Sequence, residues 1–296
     1  MHFPIMGLAI LLSSLTAAQK TAVDSAVLAD LYRYAAFSSA AYSSNCTVPP
    51  FGTAVEQYIN DAGTDTQATL FRDDQAGEFI LAFRGTSTVQ DFLTDLDQDL
   101  VACSAKGISC MGCTCSRGYL RQYMAVQDSV AAAIDTGMGS HLGYSIVVTG
   151  HSMGGALASI GAASLKGQGA SLVAYTYGQP RTGNTVYADY IDSQFPAASN
   201  ATTMTRVTHA NDGVPQIPSQ DDGYRHHTTE FWQSEDPASV DDTFMCTGQE
   251  PQDCNQSEIG IGIGNGGRGI NAAHLRYLGI SIGNPLDPDA ACRGTV

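Results

Sequence analysis

The stretch Tyr144 to Lys166, YSIVVTGHSMGGALASIGAASLK, constrains this chain more than any other. Tyr144, Ile146, Val147, Val148 and Thr149 read as a short buried strand, Gly150-His151-Ser152-Met153-Gly154 as a sharp turn, and Ala156, Leu157, Ala158, Ile160, Ala162 and Ala163 as a helix leaving it. That layout is a nucleophile elbow. A Cβ at 150 or 154 would collide with the neighbouring strand or helix, so the turn requires small residues on both sides of Ser152. In a chain with 31 glycines a bare GxSxG also arises by chance, and the strand before it and the helix after it are what give it weight.

With 296 residues and 43% hydrophobic content the chain can bury a large core in one α/β domain, expected over residues 19–296. Met1 to Ala18 hold no Lys, Arg, Asp or Glu and run apolar from Ile5 to Leu15. They end in Thr16-Ala17-Ala18, which suits cleavage of a signal peptide, residues 1–18; the run is too short for a spanning anchor. Three acceptor sequons (Asn45-Cys46-Thr47, Asn200-Ala201-Thr202, Asn255-Gln256-Ser257) and eight cysteines agree with export. Cys103, Cys110, Cys113 and Cys115 also admit a zinc site, which an oxidising compartment disfavours. The net charge of −15 argues against nucleic acid or a strongly anionic membrane as partner.

Val23 to Tyr42 repeats Val27, Leu31, Tyr34, Ala35 and Phe37 at helical spacing. Strands are expected at Thr66 to Phe71, Phe79 to Phe83, Leu172 to Tyr177 and Met204 to His209, and a helix from about Tyr119 to Ala133. The recurring strand-then-helix order implies a mainly parallel sheet with helices on both faces. Val89, Phe92, Leu93 and Leu96 fall at i, i+3, i+4 and i+7. This fits an ordinary core-facing helix, or a lid whose apolar side opens toward a lipid surface. From Pro237 the chain becomes loop-rich, and Gly260 to Gly269 (GIGIGNGGRG) forms a mobile-looking excursion.

A serine hydroxyl is a weak nucleophile at neutral pH; a histidine must take its proton and a carboxylate must orient that histidine. In serine hydrolases built on such an elbow the acid and then the base follow the serine. Asp212 sits at a strand end and suits the acid better than Asp189, Asp192, Asp221 or Asp222. His209, His226, His227 and His274 all follow Ser152, and spacing alone leaves the choice among them open. An oxyanion needs two donors: the N–H of Met153 is one, and Thr86, in the loop Arg84-Gly85-Thr86, offers a backbone N–H and a hydroxyl.

The motifs GHSMGGALA, AFRGT, YGQPRTGN, RVTHANDGVPQIP and AHLRYLG together resemble the fungal class 3 lipase family, the filamentous-fungal triacylglycerol lipases and type-A feruloyl esterases. The resemblance runs from about Leu28 to Cys292. It implies an α/β-hydrolase fold, Ser152 as nucleophile, Asp212 as acid, His274 as base, and Thr86 with Met153 as oxyanion hole. It also implies disulfides Cys46–Cys292, Cys110–Cys113 and Cys246–Cys254, to which parity adds Cys103–Cys115. Tyr119 matches an aromatic that contacts the phenolic ring in the esterases, whereas the Val89 to Leu96 segment resembles a lipase lid. Met153 replaces the usual Leu, and the Gly260 to Gly269 loop is longer than in close relatives. The expectation is a secreted, monomeric enzyme acting on lipid or small esters at a transient lipid–water interface, with no cofactor or metal. Feruloyl esterase activity is the alternative, and an inert binding scaffold the remote one.

Overall fold

The structure, a computed structural model, describes residues 20–86, 97–196 and 203–294. The expected signal peptide and the segment carrying Val89, Phe92, Leu93 and Leu96 lie outside the described residues. Among the described residues the main sheet has nine strands: β1 (Thr21–Ala22), β2 (Ala54–Asp61), β3 (Thr66–Asp73), β4 (Glu78–Phe83), β5 (Ser145–His151), β6 (Leu172–Tyr177), β7 (Met204–His209), β8 (Glu230–Gln233) and β9 (Thr243–Cys246). Their spatial order is β1-β9-β8-β7-β6-β5-β4-β3-β2.

The sheet is less parallel than the sequence implies. Only the neighbours from β4 to β8 run parallel; β2–β3–β4 and β8–β9–β1 are antiparallel. The cause is connection length: tight turns after β2 and β3 permit only hairpins, whereas parallel neighbours need crossovers. Helix α2 (Arg117–Ser140) lies in the β4–β5 crossover, α3 (Met153–Gly167) in β5–β6 and α4 (Thr185–Gln194) in β6–β7.

Strand β4 is buried at every position and β5 at all but its first, which suits the unbroken apolar stretches Phe79–Phe83 and Ile146–Val148 within them. Side chains still alternate between two cores. Phe79, Leu81, Phe83 and Val148 pack with Leu157 and Ile160 of α3 and Tyr123 of α2. Ile80, Ala82 and Val147 pack on the other face with Phe37 and Ala36 of α1 (Ser25–Ala40). Helix α2 runs past the expected end near Ala133 to Ser140, and Gly137 within that extension lets the ring of Phe79 cross it: a Cβ there would lie 2.8 Å from its Cζ. No described helix is long and apolar enough to cross a membrane.

Four disulfides join Cys46 to Cys292, Cys103 to Cys115, Cys110 to Cys113 and Cys246 to Cys254. The cysteines that admitted a zinc reading are thus consumed, and no metal-binding cluster occurs among the described residues. Two of these bridges brace a small sheet of Leu100–Ala102, Thr114–Ser116, Gly183–Asn184 and Tyr224–Arg225.

Candidate active site

Ser152 occupies the turn between β5 and α3 with φ 59° and ψ −130°, a left-handed conformation that L residues avoid. The strain is held from both sides. Its N–H donates to Tyr177 O at 2.9 Å, and its carbonyl accepts the N–H of Gly155 at 2.9 Å. A Cβ at Gly150 would run into the Gly154 backbone, and one at Gly154 would lie 2.7 Å from the Arg84 carbonyl carbon. The second contact presses the loop after β4 against the start of α3. Ser152 itself is 4% exposed.

Asp212 follows β7 and His274 lies in a short turn, Ala273–Leu275, that comes late in the chain. His274 Nδ1 is 2.9 Å from Asp212 Oδ2. Both residues are buried, and His274 Nε2 has no hydrogen-bond partner among the described residues. An ionised carboxylate only accepts, so Nδ1 carries the hydrogen and Nε2 presents a lone pair. The other Asp212 oxygen accepts the Val214 N–H at 2.9 Å. Tyr277 donates its hydroxyl to Oδ2, and burial together with this carboxylate pushes the phenol well above its ordinary pKa, so it stays a donor.

The structure does not bring the other downstream histidines to Asp212. His226 Nε2 donates to Pro215 O at 2.7 Å, and His227 Nδ1 to Thr228 O at 2.6 Å. His209 Nδ1 donates to Ala273 O at 2.9 Å, and His151 Nε2 to His274 O at 2.8 Å. Two histidines therefore hold the backbone that carries a third. Burial, with His274 next in effect, pushes His151 well below the ordinary imidazole pKa. It stays neutral, accepting at Nδ1 from the Tyr42 hydroxyl at 2.8 Å.

Thr86 and Met153 meet across the elbow, Thr86 Oγ1 lying 3.4 Å from Met153 Sδ. Arg84 anchors this loop through Asp65, donating to its carbonyl and pairing with its carboxylate, each at 2.8 Å. Thr86 and Met153 line a groove of about 480 Å³ with Thr64, Arg117, Arg121 and Gln122. Tyr119 does not reach it: at 1% exposure it packs in the core beneath α2, its hydroxyl unpaired among the described residues. Helical phase explains the difference, since residues 117, 118, 121 and 122 share one side of α2 and Tyr119 points away from it.

Sequence reasoning missed four contributors. Gly178 (φ 55°) clears the space for the pair, because a Cβ there would lie 2.9 Å from both Asp212 Oδ2 and His274 Nδ1. Tyr277 and His151 have been described. Asn255, 1% exposed, donates its side-chain amide to Ala210 O at 3.1 Å and Asp212 O at 2.9 Å. It spans the strained turn in which Ala210 takes φ 38°. Gly178, His151 and Tyr277 lie in the motifs YGQPRTGN, GHSMGGALA and AHLRYLG, which do not by themselves reveal these contacts, and Asn255 stands out in the sequence only as a sequon.

Residues 80–222 match the model of the family Lipase (class 3). The chain is 32% identical over 219 residues to a secreted mono- and diacylglycerol lipase of Fusarium solani, across 73% of this chain but only 60% of that protein, so less than two thirds of that relative is spanned. It is 29% identical to a secreted alkaline triacylglycerol lipase of Penicillium cyclopium, over 88% of this chain and 87% of that protein. The crystal structure of a triacylglycerol lipase from Penicillium expansum superposes with a TM-score of 0.77 at 26% identity, covering 90% of this chain and 98% of that one. With the α/β-hydrolase architecture and the elbow, these similarities make the class 3 lipases the family that this chain resembles, in its matched segment and across its fold.

Proposed function

We propose that this protein is a secreted serine ester hydrolase that cleaves glyceride esters through an acyl-enzyme. The observation that carries this reading is the state of His274: Nδ1 is committed to a buried carboxylate, Nε2 is buried and unpaired, and the ring centroid lies 4.5 Å from that of His151 in the Ser152 elbow. Such a nitrogen takes the Ser152 proton as Oγ attacks the ester carbonyl, and the electron pair of the C=O bond moves to oxygen. The N–H groups of Thr86 and Met153 stabilise that oxyanion. As the tetrahedral centre collapses, the bond to the leaving oxygen breaks and His274 returns the proton to it, releasing the alcohol. Water deprotonated by His274 then attacks the acyl-enzyme and frees the carboxylic acid. These steps need no metal or organic cofactor.

The names of the relatives support glycerides as substrate and secretion as destination, and four disulfides suit an oxidising compartment. A signal peptide over residues 1–18 and a single catalytic domain from residue 19 complete the proposal. The test compares purified protein on a triglyceride emulsion and on methyl ferulate, with Ser152→Ala as control. Faster turnover of the emulsion, lost in Ser152→Ala, is the expected result. Preference for methyl ferulate would move the reading to phenolic-acid esters. Failure of an organophosphonate to label Ser152 would leave an inert scaffold.

A further inference from the structure

Residues 259–270 form a glycine-rich hairpin in which Ile261 bridges Arg268 and Ile263 bridges Ile270. Ile263 and Ile270 exchange backbone hydrogen bonds of 2.8 and 2.9 Å, and the turn lies at Asn265–Gly267. Its alternation is the reverse of that in an ordinary half-buried strand, where apolar side chains face the core. Here the alternate positions are Gly260, which faces the Asp212 loop, and Gly262 and Gly264, which face the second arm of the hairpin. A Cβ at 260 would lie 2.8 Å from Gly213 N, and one at 262 would lie 2.6 Å from both Gly269 O and Ile270 O. At 264 a Cβ would come within 2.8 Å of Gly269 Cα. Gly260 thus lies backbone to backbone on the Asp212 loop, while Gly262 and Gly264 let the two arms of the hairpin close on each other. The isoleucines between these glycines must point outward, and Ile259, Ile261 and Ile263 are 66%, 73% and 55% exposed.

Three aligned, solvent-facing isoleucines are costly on a surface that serves only to meet water. Their setting says what covers them. Gly213, against which the hairpin lies, adjoins Asp212, and His274 follows four residues after Ile270, so the apolar row borders the candidate active site. From Ile259 to Leu286 the sequence has no Asp or Glu, in a chain that carries 29 of them. Between the bordering Glu258 and Asp287 a low-dielectric surface meets no carboxylate of this stretch to desolvate.

We infer that the residue 259–270 hairpin docks on a lipid surface, its isoleucine row entering the acyl layer beside the site where the ester is cleaved. The inference rests on the glyceride reading above and adds to it the element that brings the enzyme to insoluble substrate. Glycine at the alternate positions serves the same end, because it lets the hairpin close tightly and rest on the Asp212 loop at Gly260 while its isoleucines stay exposed.

The test is the triple substitution Ile259→Ser, Ile261→Ser, Ile263→Ser, made in the otherwise active protein and in a Ser152→Ala background. Binding to phosphatidylcholine vesicles doped with diacylglycerol, measured by flotation with Ser152→Ala protein, is expected to weaken about 100-fold in the triple variant. Emulsion hydrolysis should fall in parallel, while turnover of dissolved p-nitrophenyl acetate stays unchanged. Equal vesicle binding by both proteins would overturn the proposal. So would a dimer in solution that the substitutions dissociate, which would assign the isoleucine row to a second copy of this chain. Vesicle binding is measured without turnover and ester preference without vesicles, so failure of docking and failure of the glyceride reading show up in different measurements.

Discussion

Tyr277 and His274 share one carboxylate oxygen: both bond to Asp212 Oδ2, the tyrosine through its hydroxyl and the histidine through Nδ1 at 2.9 Å. The phenol is buried and cannot exchange this bond for water. Tyr277→Phe removes the donor at nearly constant volume. A hydrogen bond to a charged group contributes about 1.5–3 kcal/mol, so a kcat lower by roughly 10- to 100-fold is expected, with KM for a dissolved ester little changed. Unaltered kcat would show that the pair is oriented without this residue.

Gly178 sets the closest approach of β6 to the same pair. In Gly178→Ala the new Cβ must displace Asp212 or His274, each 2.9 Å away, and must also adopt φ 55°. If this pair is the proposed acid and base, a misplacement of about 1 Å costs about 100-fold in rate. Kinetics on a dissolved ester, with circular dichroism to show that the fold persists, check this. Activity within a factor of two of the parent would contradict the crowding.

Asn255 lies in an acceptor sequon, yet its amide is used inside the protein, on Ala210 O and Asp212 O. A glycan on that nitrogen has no room in the folded state, whereas Asn45 is exposed. Mass spectrometry of protein secreted from a eukaryotic host should find sugar at Asn45 and none at Asn255. Asn255→Ala should lower kcat about tenfold and reduce the melting temperature by a few degrees, since two buried carbonyls lose their donor.

Acid should destabilise this protein before its carboxylates titrate. Burial depresses three histidines below the ordinary value of 6.5: His151 and His226 far below it and His227 to about 4. For His226, Arg206 and Arg181 add to the effect of burial. Depressed folded-state values mean that the unfolded chain binds protons first. Stability from these groups is therefore complete above about pH 6.5 and is lost as pH falls toward 4, at roughly 1.4 kcal/mol per pH unit for each histidine. Urea midpoints at pH 7.5, 6 and 5 should decline, and less steeply in His226→Gln. A flat profile over that range would refute the assignment of these rings as buried and neutral.

What local sequence could say, it said at the elbow. Strand, turn and helix around Ser152 are legible because steric demand at Gly150 and Gly154 and the apolar runs on either side are near-neighbour properties. The inner strands and the helical character of residues 25–40 are legible for the same reason. The antiparallel edges were missed, because whether neighbouring strands pair as hairpins depends on turns whose partners periodicity does not reveal.

The choice among four histidines belongs to the tertiary structure. His209, His226, His227 and His274 are alike in composition and all follow Ser152, but one of them meets Asp212, across 62 residues of chain. Packing also took Tyr119 away from the groove and made Gly178, Asn255 and Tyr277 part of the site. By itself the sequence determined the elbow and the residue types such chemistry needs. Which base meets which acid, and what clears and braces the space around them, was decided by burial and long-range hydrogen bonds, which exist only once distant segments pack together.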